Sequence, residues 1–188
     1  MMVIVIIGIV SALAIVAFTN ELPTLRADSA LQLLEAQIRQ AREAAVDQRR
    51  SILVTFQGTG EMVTVRQNLN VTTTPPTVIS TTTLGDFILD PNQMVFNVFN
   101  GLPDTPDAFG NSQPVSFTDT TTSAQACPNL PCTITFQGDG SVVDNAGNYV
   151  NGTVFIGSVG SKITARAVTI LGSTGRIKGY RYKTNAWF

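Results

Sequence analysis

Residues 1–18 carry no charge and no proline, and only Gly8 and Ser11 interrupt their apolar side chains. A helix needs about 20 apolar residues to cross a bilayer core, so the run is long enough to span one. Its Val, Ile, Leu and Phe residues together favour insertion by roughly 5 kcal/mol. No soluble core accounts for such a run. It fits a cleaved signal peptide, a plain membrane anchor, or the first half of a longer helix. A signal peptide wants Lys or Arg ahead of the run and a small-residue site behind it. Only the second is present, as Ala12-Leu13-Ala14.

The continuation favours the longer helix. After Thr19 the chain turns polar, yet apart from Pro23 nothing up to Arg50 breaks a helix. Leu31, Leu34, Ile38, Ala41 and Ala45 recur at helical spacing as one apolar stripe, and Glu35 with Arg39 and Arg39 with Glu43 are opposite charges four apart. Pro23 removes one backbone hydrogen bond and is expected to kink the helix. A continuous helix of this length would reach about 75 Å. Residues 1–20 would suit lipid or other helices, and 21–50 a domain packed on one side.

The start Ile6-Ile7-Gly8-Ile9, followed by Val10-Ser11-Ala12-Leu13-Ala14 and an amphipathic half with Ala41-Arg42-Glu43-Ala44-Ala45-Val46, resembles type IV pilins and type II secretion pseudopilins. The stretch 40–46 followed by a strand at 51–56, together with the chain's end at 165–176, is similar to the GspH/FimT minor-pilin group. Prepilins of this kind carry a Gly-Phe-Thr-Leu-Ile-Glu type site, cut after the glycine, just before the apolar run. By that alignment Met1 falls just after the glutamate. The resemblance implies a pilin fold of class α+β: a long N-terminal helix packed on an antiparallel β-sheet domain at 51–188.

Formal net charge is −1, which argues against a nucleic-acid protein, but the charges are segregated. No basic residue lies between Arg66 and Lys162, and no acidic residue follows Asp144. Strands are expected at 52–56 and 62–66, joined through Gln57-Gly58-Thr59-Gly60. The Thr-rich stretch 68–83, with Pro75-Pro76, reads as a loop or an edge excursion. A strand at 93–99 comes next, stopped by Asn100-Gly101, and Pro103, Pro106 and Pro114 keep the following section irregular. Further strands are expected at 133–136, 141–143, 153–156, 163–171 and 176–182, with a turn at 172–175 joining the last two. Frequent turn signals imply an antiparallel sheet packed on the helix.

Cys127 and Cys132 are the only cysteines and bracket a proline-flanked turn. They read as a disulfide, and so as a domain in the periplasm or outside. Free thiols or a metal are the alternatives, though structural zinc wants four ligands and the chain has no histidine.

The same lack removes the usual general base and the Ser-His and Cys-His pairs, and no phosphate-cradling Gly-x-x-x-x-Gly-Lys exists. No enzyme activity and no cofactor are expected. Asp139, Asp144, Asn145 and Asn148 lack the EF-hand spacing and read as turn formers. Asn70 and Asn151 match the glycosylation acceptor pattern, which a threonine-rich chain yields by chance.

The last strand is the one candidate site. Extended, it places Arg176, Lys178, Tyr180 and Tyr182 on one face and Arg181 and Lys183 on the other. Cations interleaved with rings suit a nucleic-acid backbone and unstacked bases. Some FimT-like minor pilins bind DNA through a Gly-Arg-x-Arg motif near the C-terminus, and Gly175-Arg176-Ile177-Lys178 resembles it, with Lys in the final place. The competing reading is a sheet edge kept soluble by its charges.

The expected role is therefore a non-enzymatic subunit of a type IV pilus or type II secretion pseudopilus. It would sit in the inner membrane with its domain in the periplasm, then assemble with other pilins through its N-terminal helix. A DNA-binding minor pilin and a membrane-tethered domain that never polymerises are the alternatives.

Overall fold

The protein is described here by a computed structural model, which covers the backbone of residues 2–58, 60–66, 77–84 and 94–188 and, from residue 21 onward, their side chains except 63, 65 and 66. Helix α1 (Met2–Gln48) runs 47 residues and continues through Pro23. Among the described residues eleven strands follow: β1 (Ile52–Phe56), β2 (Glu61–Arg66), β3 (Thr77–Thr83), β4 (Met94–Phe96), β5 (Val115–Asp119), β6 (Cys132–Phe136), β7 (Val142–Val143), β8 (Val150–Ser158), β9 (Arg166–Leu171), β10 (Arg176–Lys183) and β11 (Ala186–Trp187). They form two sheets, β3-β2-β1-β6-β7 and β11-β10-β9-β8-β4, and β5 shares the outer edge of β8 with β4. Every pairing is antiparallel. One helix on antiparallel sheets makes the fold α+β.

The stripe read from helical spacing is the core. Leu31, Leu34, Ile38, Ala41 and Ala45 are all buried, and Ala27 and Ala30 extend the stripe by about one turn. They meet Ile52, Val54 and Phe56 of β1, Ile134 and Phe136 of β6, Val154 and Ile156 of β8, and Val168 and Ile170 of β9 in one cluster. Strands β1 and β6 alternate buried and half-buried residues, as a sheet covered on one face does. Strand β9 is buried on both faces. The helix covers one, and a second cluster built on Phe99, Leu102, Phe155, Ala167, Tyr180 and Trp187 covers the other. Gly179 lies where the helix comes closest to β10, since a side chain there would run into the Glu35 carboxylate and Leu31.

The charge pair Glu35–Arg39 forms at 3.1 Å. The turn at 57–60 closes β1 onto β2, with Gln57 N–H donating to Glu61 and Gly60 N–H to Gln57. Several expectations are corrected. Residues 77–83 of the Thr-rich stretch form edge strand β3, because β-branched side chains suit a pleated, half-exposed surface; residues 68–76, with Asn70, lie outside the described residues. Section 115–119 is a strand although Pro114 precedes it. The Pro114 carbonyl accepts the Phe155 amide, so the missing N–H costs the pairing nothing. Ile163 belongs to a short 3-10 turn, Lys162–Thr164, and not to β9. Strand β11 had no expectation; Thr184 and Asn185, both at positive φ (49° and 64°), make the two-residue turn that folds it back on β10. Among the described residues no helix is long and apolar enough to cross a membrane; the side chains of the expected span, 1–20, lie outside them.

Truncating Leu34 or Ile38 to Ala is expected to cost about 2–5 kcal/mol. Urea unfolding measures it, with Glu43→Ala, on the exposed side of the same helix, staying within about 0.5 kcal/mol of the parent.

Candidate functional site

Strand β10 pairs with β9 from Arg176↔Leu171 to Arg181↔Arg166, and its two faces do different work. Ile177, Gly179 and Arg181 face the helix: Ile177 packs on the main core, Gly179 lies against Glu35, and Arg181 Nε reaches Asp28 at 3.3 Å. Arg176, Lys178 and Tyr180 share the other face, where they gather around Asp107 from the segment between β4 and β5. The Arg176 guanidinium pairs with Asp107 Oδ1 at 2.8 Å. Oδ2 accepts the hydroxyls of Thr169 at 2.5 Å and Tyr180 at 2.9 Å. Lys178 Nζ stands 4.6 Å from the centre of the Tyr180 ring. Burial works to raise the Asp107 carboxyl, but the hydrogen bonds from Thr169 and Tyr180 and the charges of Arg176 and Lys178 together hold it below the ordinary carboxylate value.

The six residues considered for DNA binding are thus divided among four settings. Arg176, Lys178 and Tyr180 surround a carboxylate. Tyr182 packs on Trp187 at 5.2 Å, with its hydroxyl 3.3 Å from Asn185. Arg181 is turned to the helix, and Lys183 is exposed at the far end of the strand. A stacking role for Tyr180 does not survive its 2% exposure, which leaves no ring face for a base. What this face does hold is the 97–114 segment, through Asp107 and through Trp187 Nε1–H donating to the Pro103 carbonyl at 2.8 Å.

Arg166, to which the sequence reading gave no role, clamps helix to sheet. Its side chain is 3% exposed and its Nε pairs with Asp28 at 2.7 Å. The rest of the guanidinium donates to the carbonyls of Ile163, Ala165 and Thr24. One arginine in an otherwise uncharged strand was the signal available: a buried charge needs a partner and carbonyls to satisfy it. Fourteen residues up the helix, Arg42 donates to the Thr174 carbonyl at 3.2 Å. Beside it lies an open cleft of about 310 Å³ lined by Arg39, Arg42, Glu43, Thr174, Gly175, Arg176 and Ile177.

Cys127 and Cys132 are joined, with Cα atoms 5.4 Å apart, and close the loop that leads into β6. Asp139 and Asp144 organise their own turns: Asp139 Oδ1 accepts from the Ser141 amide and hydroxyl, and Asp144 Oδ1 from the amides of Ala146 and Asn148. Asn151 Oδ1 accepts the Gly172 amide. At the end of β5, Asp119 accepts the hydroxyls of Thr121 and Thr122 and the Thr121 amide, which bring its carboxyl down to about 2.

Three solved structures are similar to this chain. The Pseudomonas aeruginosa type IV minor pilin FimU is 15% identical, with 91% of this chain and 96% of that one covered and a TM-score of 0.44. A second crystal form of FimU gives 14% identity, 86% and 96% coverage and a TM-score of 0.42. The minor pseudopilin EpsH of the Vibrio cholerae type 2 secretion system is 12% identical, with 82% and 94% covered and a TM-score of 0.46. The chain is similar to these pilin subunits. No family model and no curated protein matches it.

Acid sensitivity follows from the carboxylates. Asp107, Asp119 and Asp139 are all lowered from the ordinary 3.8, so each stabilises the fold in full above that value and progressively less as pH falls through the folded value. For Asp119 the window lies between about 4 and about 2. Urea midpoints are expected to hold from neutral pH down to about 5 and to fall steeply below about 4, and Asp119→Asn is expected to flatten part of that fall. A midpoint that rises on acidification would have the wrong sign.

Proposed function

We propose that the chain is a non-enzymatic filament subunit of the pilin or pseudopilin kind. It is held in the inner membrane by residues 1–20, with its domain on the periplasmic side, before it assembles with other pilins. One observation carries the reading: α1 is unbroken from Met2 to Gln48, yet none of residues 21–26 is buried, and the stripe buried on the sheets begins at Ala27. About 28 Å of helix precedes Glu21, with an uncharged and almost wholly apolar sequence. In water such a stretch is strongly unfavourable; in a bilayer, or among the same stretches of neighbouring copies, its apolar surface is covered. Transfer from membrane to filament exchanges one covering for the other.

The polar groups support a structural role. The buried arginine, the bound carboxylates and the turn-forming aspartates are each engaged with the protein's own chain, and none is paired with a histidine or an activated nucleophile. The joined cysteines fit an oxidising compartment. DNA binding through the last strand would rest on phosphate contacts from the exposed Arg176, Lys178, Arg181 and Lys183, without stacking on the buried Tyr180, and stands below the filament role.

Flotation with vesicles tests the anchor, and cross-linking tests assembly. The intact chain is expected to float, and a chain lacking residues 1–20 to stay with soluble protein. Single cysteines at Ile7 or Ala14 are expected to join copies on oxidation, and one at Asp47 to fail. An intact chain that does not float ends the anchor reading. One that floats but never cross-links through the apolar half is a tethered domain and not a filament subunit.

A further inference from the structure

Seven large apolar residues are conspicuously exposed among the described residues, and four of them, Leu25, Val159, Ile163 and Phe188, lie at one end of the domain. Contacts around Arg166 bring them there. The Arg166 guanidinium bonds the carbonyls of both Thr24 and Ile163, which places Leu25 beside the 3-10 turn. Val159 sits in the turn between β8 and that 3-10 segment, closed by Ser161 N–H donating to Ser158. Phe188 exchanges two backbone hydrogen bonds with Arg181, which pairs with Arg166 across the sheet and with Asp28 on the helix. Exposures of 55% for Leu25, 76% for Val159, 61% for Ile163 and 70% for Phe188 leave most of each side chain uncovered.

This is the end from which the apolar half of α1 leaves. Leu25 lies seven residues past Phe18, the last residue of the uncharged run, a rise of about 10 Å. The headgroup layer on each side of the hydrocarbon is about 5–8 Å deep, and interfacial side chains bury about 5–10 Å into that boundary. Helical side chains lean toward the N-terminus, which brings Leu25 lower still. A helix inserted upright to Phe18 puts the Leu25 backbone just outside the headgroup layer, within reach of it by the lean of its side chain or a modest tilt of the helix. Charges there agree with that placement: Lys162 and Lys183 are exposed beside the four residues, Asp28 is held by two arginines, and Glu21 is the acid nearest the bilayer.

We propose that Leu25, Val159, Ile163 and Phe188 form a foot that dips into the lipid headgroup layer, so that before assembly the domain stands on the bilayer from which its helix rises. Exposed apolar patches mark interaction surfaces, and here the occupant is fixed by continuity with the span. The proposal rests on the membrane-anchored reading of residues 1–20. It goes beyond that reading, because an anchor alone does not set the tilt of the continuous helix, and so does not decide whether these four side chains meet lipid.

The test uses the intact chain in phosphatidylcholine vesicles, with Val159→Cys, Ile163→Cys or Asp47→Cys carrying a thiol-reactive fluorophore. The native cysteines are bonded to each other, so the introduced thiol takes the label. Asp47 lies 22 residues up the helix from Leu25, about 33 Å away. With nitroxide-headgroup lipid in the vesicles, labels at 159 and 163 are expected to lose fluorescence and the label at 47 to keep it. If the chain floats but positions 159 and 163 are quenched no more than 47, the foot is overturned and the anchor stands. If the labels at 159 and 163 quench one another between copies while lipid leaves them bright, the patch meets a second copy, and the proposal is again overturned. A chain that fails to float overturns both.

Discussion

Burial of one helix stripe against two sheets is the interaction on which this structure depends. Leu31, Leu34 and Ile38 each contribute roughly 1.5–3 kcal/mol by leaving water, and the small Ala27, Ala30, Ala41 and Ala45 let the helix approach the strands closely. Without the helix, β1, β6, β8 and β9 would each expose an apolar face. The stripe covers strands from both sheets and so unites them, and the direct backbone link from Val142 N–H to the Gly172 carbonyl closes the seam.

Polar groups then fix what burial leaves loose. Hydrophobic contact sets the distance between helix and sheet but tolerates sliding along the axis. Arg166 with Asp28 and Arg42 with Thr174 set the register, one near each end of the packed half. Asp107 does the same for the segment between β4 and β5, which covers the outer face of β9 and β10. Cations that look free in the sequence are thereby engaged, and the last strand serves as a joint between layers more than as an open face.

The helix, its stripe and the hairpins were legible in the sequence because their signals are local: a 3.6-residue period over 31–45, and glycine turns between β-branched runs. Strand β5 was not, since Pro114 signals irregularity and only the long-range pairing with β8 reveals the strand. The site was legible in composition and not in partnership. Alternation correctly put Arg176, Lys178 and Tyr180 on one face, but nothing local says that Asp107, sixty-nine residues earlier, comes to meet them. The same holds for Arg166, whose acid lies on the helix 138 positions away.

The central claim is that one continuous helix serves two surroundings: residues 1–20 belong to lipid or to neighbouring copies, and the domain's own fold begins after them. Amide hydrogen exchange measures this directly, comparing the intact chain in vesicles with a chain lacking residues 1–20 in buffer. The account predicts equal protection in both across residues 27–45 and across β1, β6, β8 and β9. Loss of that protection when residues 1–20 are removed would show that the apolar half is part of the domain's own core, contradicting the account.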